Sequence, residues 1–304
     1  MIDWTTIRKE CLPDHGASVL PPNVTVPGLP DAIANFCQRA DDPDVTITEL
    51  ATIIESDTGL SLELMRYVNS CAIGIRQKVR SPRQAIAVLG IRAAKLIVIT
   101  SAVRRAMAAR RSKLLPVRNF WYTNLERALV AKNIAYWMDA NEELAYAAGL
   151  LQDYLLPILT NELYGSYLRF IDATKGSQQR LVEFEREQFG WDHTEAGAHV
   201  MLDWAFPDDL ICCVLFHHQG LSILDDAVLG RTAAAAAAIA GLMPDPLQQE
   251  PNGMARLMEL EKRWPEFRLE PLAQKVEEEF RTLAPASGNH ITFRHRCEKA
   301  LQTV

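Results

Sequence analysis

No histidine occurs between Gly16 and Asp192, so no imidazole base or metal ligand comes from that stretch. The six cysteines (Cys11, Cys37, Cys71, Cys212, Cys213 and Cys297) show neither CxxC spacing nor a pairing pattern. Reduced, mostly buried thiols in a cytosolic protein are expected. The start, Met1-Ile2-Asp3-Trp4, lacks the basic-then-apolar order of a signal peptide, which makes a cytoplasmic location the expectation. The most apolar run, Leu96 to Val103, falls far short of the roughly 20 residues that span a bilayer. A net charge of −6 leaves no cationic surplus for DNA, RNA or an anionic membrane, since such binding rests on neutralising phosphates. Internal repeats, heptad runs, and receiver or nucleotide-cyclase motifs are missing as well.

What is present is an ordinary globular composition, 48% hydrophobic and 23% charged over 304 residues, enough for an ample core. Apolar residues recur at helical spacing throughout, and the first 110 residues hold no convincing alternating strand. Leu29-Pro30-Asp31 opens a helix to about Ala40, and Thr46 with Glu49 forms a capping box ahead of Ile47, Leu50, Ile53 and Ile54. A third helix carries Leu60, Leu64, Met65 and Val68 and ends near Asn69-Ser70. Ser81-Pro82 starts another that stops at Gly90, and Ile91 begins the next, running to about Met107. Pro116 marks a boundary, after which Leu125, Leu129, Ile134 and Trp137 define a long helix. Asn141 opens one carrying Leu144, Ala148, Leu151 and Leu155, which Pro157 kinks or ends. Helices around Leu181–Phe184 and from Pro207 to His217-His218 follow. The alanine-rich run Thr232–Gly241 reads as a packed helix. Residues 245–253 read as a linker, and two or three further helices follow it.

The stretch most charged with chemical meaning is Gly149-Leu150-Leu151-Gln152-Asp153-Tyr154-Leu155-Leu156-Pro157-Ile158-Leu159. A carboxylate among leucines is costly to desolvate without a partner, so Gln152-Asp153 is a site or the remnant of one. Asp153 is either a metal or ligand contact or a carboxylate satisfied by a local partner. His193, His217 and His218 are candidates to line a pocket with it. Three histidines and a carboxylate suit zinc, but adjacent helical residues diverge by about 100°, which argues against both His217 and His218 pointing inward. No metal and no cofactor are therefore expected. Arg104, Arg105, Arg110, Arg111 and Lys113 form a basic segment. It is either a solvated helix end complementing the macrodipole or a docking surface for an acidic protein or a phosphate. Asn69 and Ser70 end an apolar helix and read as residues that fix the junction between the two helical lobes, since such side chains readily hydrogen-bond backbone.

In their order, these features resemble the HDOD domain, a bacterial signalling module related to the HD phosphohydrolases. The residues that carry it are Leu29-Pro30, Glu49-Leu50-Ala51, Ser56-Asp57, Leu64-Met65-Arg66-Tyr67-Val68-Asn69-Ser70, Ile75, Val79, Ser81-Pro82, Gln84-Ala85-Ile86 and Leu89-Gly90. It continues through Phe120-Trp121, Ala147–Asp153, Glu187, Phe189-Gly190, His193, Gly197, Trp204, Pro207 and His217-His218. The resemblance implies an all-α, multi-helix HD-like bundle over residues 20–225, with lobes of about 27–113 and 114–225. A leader (1–19) and accessory C-terminal helices (226–304) flank it. Catalytic HD proteins hold metal with an upstream histidine, a His-Asp doublet and a later aspartate. Here the doublet is Gln152-Asp153, and Thr123-Asn124 stands where the upstream histidine would be.

The expected function is thus a non-enzymatic regulatory module whose partners are other signalling proteins, with a degenerate pocket formed by Gln152, Asp153, His193, His217 and His218. One alternative is a weakly active metal-dependent phosphohydrolase using Asp153, His193, a histidine of the 217–218 pair, and Asp225 or Asp226. The other is a sensor that binds a small anion or nucleotide through the vestigial pocket and the cations of Arg104–Lys113. The helices after residue 225 either cap the core or mediate a homodimer.

Overall fold

The computed structural model describes residues 2–12, 19–70, 78–108, 110–174, 178–285 and 287–301; Cys71, Ile75 and Ala109 fall outside them. Among the described residues every regular element is helical and none is a strand, so the fold is all-α as expected. The first half contains α1 (Trp4–Cys11), α2 (Asp31–Ala40), α3 (Ile47–Glu55), α4 (Thr58–Val68), α5 (Pro82–Leu89) and α6 (Ile91–Ala108). Next come α7 (Val117–Trp137), α8 (Glu142–Leu151), α9 (Leu156–Glu162), α10 (Tyr164–Thr174), α11 (Leu181–Phe189), α12 (His193–Asp203), α13 (Asp208–Leu215) and a 3-10 segment (His217–Asp225). The chain ends in α14 (Ala233–Ala240), α15 (Gly253–Arg263), α16 (Leu269–Leu283) and α17 (Phe293–Leu301).

Local chemistry accounts for most boundaries. Thr46 and Glu49 close their capping box at α3, and the Asp57 carboxylate receives the amides of Gly59 and Leu60 to cap α4. Ser81 caps α5, Pro82 occupies its first turn, and Gly90 follows it at φ 81°, a backbone angle that L side chains rarely adopt. Asn69 does bond to backbone, but within the 27–113 lobe and not between the two lobes, and the buried Ser70 hydroxyl has no hydrogen-bond partner among the described residues. The Asn69 amide donates to the Val79 carbonyl (2.9 Å) and its Oδ1 accepts from the Val79 amide (2.8 Å), tying the end of α4 to the approach to α5.

Three expectations fail where helices meet the site. The helix begun at Asn141 does not reach Pro157: α8 ends at Leu151, a turn carries 152–155, and α9 starts with Pro157 in its first turn. Proline suits that position because the first helical amides have no intrahelical partner. The helix begun at Pro207 stops at Leu215, two residues before the histidine pair. The supposed linker at 245–253 is packed, not extended into solvent, with Leu247, Gln249 and Glu250 buried. Two helices, α10 and α12, are absent from the sequence reading.

The hydrophobic core runs without interruption from Leu12 to Cys297, so the C-terminal helices share it with the rest of the chain. α7 and α8 pack most closely. A Cβ on Gly149 would sit 2.8 Å from Ala128 Cα and from the Arg127 carbonyl oxygen, so only glycine permits that approach. The wholly buried alanine helix α14 packs on α7, α8 and the 3-10 segment. Small side chains let all three draw close. Glu126, fully buried on α7, accepts from His290 (2.9 Å), Arg296 (2.7 Å) and the Phe293 amide, holding the start of α17 against the core.

Candidate functional site

The turn after α8 places Asp153 at the meeting point of elements that are far apart in sequence. His193 is the first residue of α12, capped by Asp192. His217 and His218 open the 3-10 segment. One ligand atom from each of Asp153, His193, His217 and His218 lies within 4.8 Å of the others, and all four residues are buried. Asp153 Oδ1 is 3.3 Å from both His193 Nε2 and His217 Nε2, and His193 Nε2 is 3.2 Å from His218 Nε2.

The expectation that adjacent His217 and His218 diverge is therefore wrong. It holds only inside a regular helix, and Phe216 (φ −97°, ψ 2°) has already left helical geometry. Freed from the helical rotation, the two rings lie 4.2 Å apart, centroid to centroid. Gln152 does not join them. It caps α8, and both atoms of its buried amide lack a hydrogen-bond partner. Asp225 and Asp226 are exposed, and Asp226 instead caps a turn by accepting from the Val228 and Leu229 amides.

Each imidazole is oriented by its other nitrogen. His193 Nδ1 lies 2.6 Å from the Glu185 carboxylate, which also accepts from the His193 amide and the Tyr167 hydroxyl. His217 Nδ1 lies 2.7 Å from the Val214 carbonyl, and His218 Nδ1 lies 2.8 Å from Glu250. A carbonyl only accepts, so His217 Nδ1 carries its hydrogen and Nε2 presents a lone pair. Carboxylates hold Nδ1 of the other two rings, and of their Nε2 atoms, 3.2 Å apart, one donates to the other.

Two cations that the sequence reading missed balance the carboxylates. Arg127, 1% exposed, donates to Asp153 Oδ2, to the Met243 carbonyl (3.1 Å) and to Asp245 (3.3 Å). Arg180 grips Glu250 through Nε at 2.9 Å. Gln249 donates to Asp153 Oδ2 (2.9 Å), so residues 243–250 form a lid over the site. The signal for Arg127 was a charged residue on the buried face of α7, four positions and one turn beyond Thr123. Thr123, Asn124, Arg127 and Asp153 line one small cavity, in which a guanidinium faces the acid where the resemblance expects imidazole.

Burial alone would raise the Asp153 pKa, but the Arg127 guanidinium and the histidines hold it well below the usual carboxylate range. Burial works to lower the His193 pKa, yet the Glu185 and Asp153 carboxylates push it well above the ordinary imidazole value. Burial and the neighbouring His217 take His218 down to about 3.

Residues 26–220 match the HDOD domain family. The chain belongs to that family. Among solved structures, this HDOD chain is 22% identical to a candidate phosphohydrolase of Shewanella amazonensis SB2B, covering 95% of each chain with a TM-score of 0.61. It is 19% identical to an HDOD domain protein of unknown function from Geobacter sulfurreducens (92% and 89% covered, TM-score 0.58). At these identities the likeness shows the fold. A curated relative, an uncharacterised protein of Treponema pallidum (strain Nichols), is 20% identical over 198 residues. The match takes in 64% of this HDOD chain and 38% of that relative's length.

The donors split in their fit to metal. The catalytic HD set is incomplete, because Thr123 and Gln152 supply no nitrogen lone pair. The Asp153 and histidine donors do fit an ion: Asp153 Oδ1 and His217 Nε2 are buried without a hydrogen-bond partner and lie beside the Nε2 atoms of His193 and His218, which bond to each other. Elsewhere, Arg104 pairs with Glu63 and Arg105 with Asp57, while Arg110 and Arg111 are exposed. Among the described residues, no helix is long and apolar enough to cross a membrane.

Proposed function

We propose that this HDOD chain is a non-enzymatic signal-transduction module of bacterial type that works through binding other proteins. The observation that carries this reading is the closure of the former HD pocket. Asp153, His193, His217 and His218 are all buried, and Gln249 and Glu250 of the lid bond directly to Asp153 and His218. A hydrolytic metal needs a coordination position open to water and substrate. Here Arg127 and Gln249 both occupy the outer oxygen of Asp153, leaving a phosphate ester no face to approach. What such a molecule offers its surroundings is its surface.

The nucleotide-sensing alternative loses support because Arg104 and Arg105 are committed to carboxylates on α4 and at its cap. A screen of phosphomonoesters, phosphodiesters and cyclic dinucleotides with added Mn, Fe or Zn tests the reading. The expected result is no turnover above the blank. Turnover that disappears in Asp153→Ala would overturn it.

A further inference from the structure

Between Glu63 and Glu126 the chain has no aspartate or glutamate, yet that stretch carries 13 of its 32 lysines and arginines. The net charge of −6 therefore conceals one strongly cationic region. The structure sorts its cations into two groups. Arg92, Lys95, Arg104 and Arg105 pair with Asp209, Asp41, Glu63 and Asp57, all outside the stretch. Arg66, Lys78, Arg80 and Arg83 are exposed, and none has a carboxylate partner among the described residues.

These four cations meet in one place. α4 buries Leu60, Leu64, Tyr67 and Val68, so Leu62, Arg66 and Asn69 line its outer face. Asn69 bonds both backbone groups of Val79, which sets Lys78 and Arg80 beside the Arg66 end of that face. The Arg80 amide donates to the Gln84 side chain, leading into α5, whose outer face carries Arg83, Gln84 and Val88. Two exposed aliphatic side chains flank the charges: Leu62 one turn before Arg66, and Val88 one turn after Gln84.

The stability of the fold does not account for this placement. Arg66 lies in the last turn of α4, where a cation complements the macrodipole. Arg80 and Arg83 lie at the positive end of α5, where cations are disfavoured. Like charges gathered without an acid also repel one another. A ligand that brings carboxylates removes both costs.

We infer that the outer faces of α4 and α5 dock an acidic amphipathic helix of a partner protein. Its carboxylates meet Arg66, Lys78, Arg80 and Arg83, and its apolar side chains cover Leu62 and Val88. Guanidinium forks pair bidentately with carboxylates, and adjacent helices offer the ridges against which a third helix packs. The aliphatic pair favours protein over nucleic acid, whose backbone presents phosphate but no aliphatic face. The inference rests on the protein-binding reading above and gives that partner its chemistry.

The probe is a fluorescein-labelled peptide of about 16 residues, roughly 24 Å long as a helix, with glutamates on one face and leucines on the other. A control peptide replaces each glutamate by glutamine. Anisotropy titration with the full chain is expected to show the acidic peptide binding at least about tenfold more tightly than the control, and raising NaCl from ~0.05 to ~0.5 M should erase most of that difference. Arg80→Glu with Arg83→Glu should weaken acidic-peptide binding at least about tenfold, whereas Lys262→Glu with Arg263→Glu, an equal charge change on exposed positions of α15, should leave it within about twofold. The peptide and salt comparisons use wild-type chain, so they stand even where a variant fails to fold. Equal binding of the two peptides, no binding at ~1 mM chain, or equal losses in the two folded double variants would overturn the inference. So would a DNA duplex of about 20 base pairs that binds more tightly than the acidic peptide at ~0.15 M NaCl. A wild-type dimer in sedimentation equilibrium that Arg80→Glu with Arg83→Glu dissolves would also overturn it, since the occupant would then be a second copy's acids. Failure here leaves the protein-binding reading to the phosphoester screen, which tests it separately. Turnover in that screen with peptide binding intact sinks that reading alone.

Discussion

Arg127 is the residue on which the closed pocket depends, and Arg127→Met tests it directly. Methionine keeps most of the length and packing of arginine but deletes the guanidinium. The wild-type group is 1% exposed and serves Asp153, Asp245 and the Met243 carbonyl together. Its loss leaves two buried carboxylates without their cation and a carbonyl without its donor. Breaking a buried pair on one side costs about 3–5 kcal/mol, a large part of a typical stability of ~5–15 kcal/mol. Asp245→Asn should recover part of that loss. Burial already raises the Asp245 pKa despite Arg127, and an asparagine oxygen can still accept from the Leu247 amide that now reaches Oδ1, although the Gln249 amide loses its acceptor Oδ2. Recovery of about 1–2 kcal/mol in the double variant is the expected coupling. Urea unfolding followed by far-ultraviolet circular dichroism, on protein of matched metal content, gives all four corners of the cycle. A cost below about 1 kcal/mol for Arg127→Met, or no recovery from Asp245→Asn in that background, would refute the reasoning.

Three further outcomes are expected. Gly149→Ala should destabilise the chain by roughly 1–3 kcal/mol, measured by the same denaturation, because its methyl would collide with α7 backbone at 2.8 Å. Burial raises the Glu279 pKa against the pull of Lys132 and Lys275, so ionising this acid costs the folded state more than the unfolded one. Glu279→Gln should therefore be more stable than wild type at neutral pH, with the difference vanishing as pH falls below the carboxylate range in a pH series of melts. Burial pushes Cys37 up to about 11 and Cys212 and Cys297 up to about 12. Exposed Cys11 should accept iodoacetamide ahead of these three in the native state, and peptide mapping that shows Cys212 alkylated as fast would contradict this burial.

The helices and the family were legible because their causes are local. A capping box at Thr46, an N-cap serine before Pro82 and a glycine at position 90 act within a few residues, and helical periodicity records which face is buried. The same local logic misled at the histidine pair. It assumed that the helix from Pro207 continued, whereas α13 ends at Leu215 and Phe216 redirects both rings. Composition likewise made residues 245–253 look like a linker, since prolines and glutamines say nothing about which distant acid a side chain will meet.

By itself, then, the order of residues determined an all-helical HDOD chain lacking the His-Asp doublet, since those features depend on neighbours in sequence. Only the tertiary structure decided what stands in its place. Asp153, His193, His217, Arg127 and Glu250 come together through packing of α7, α8, α12, α13 and the lid. The direction of a ring at a helix end is set by whichever remote carbonyl or carboxylate holds its second nitrogen, a partner that no spacing along the chain specifies.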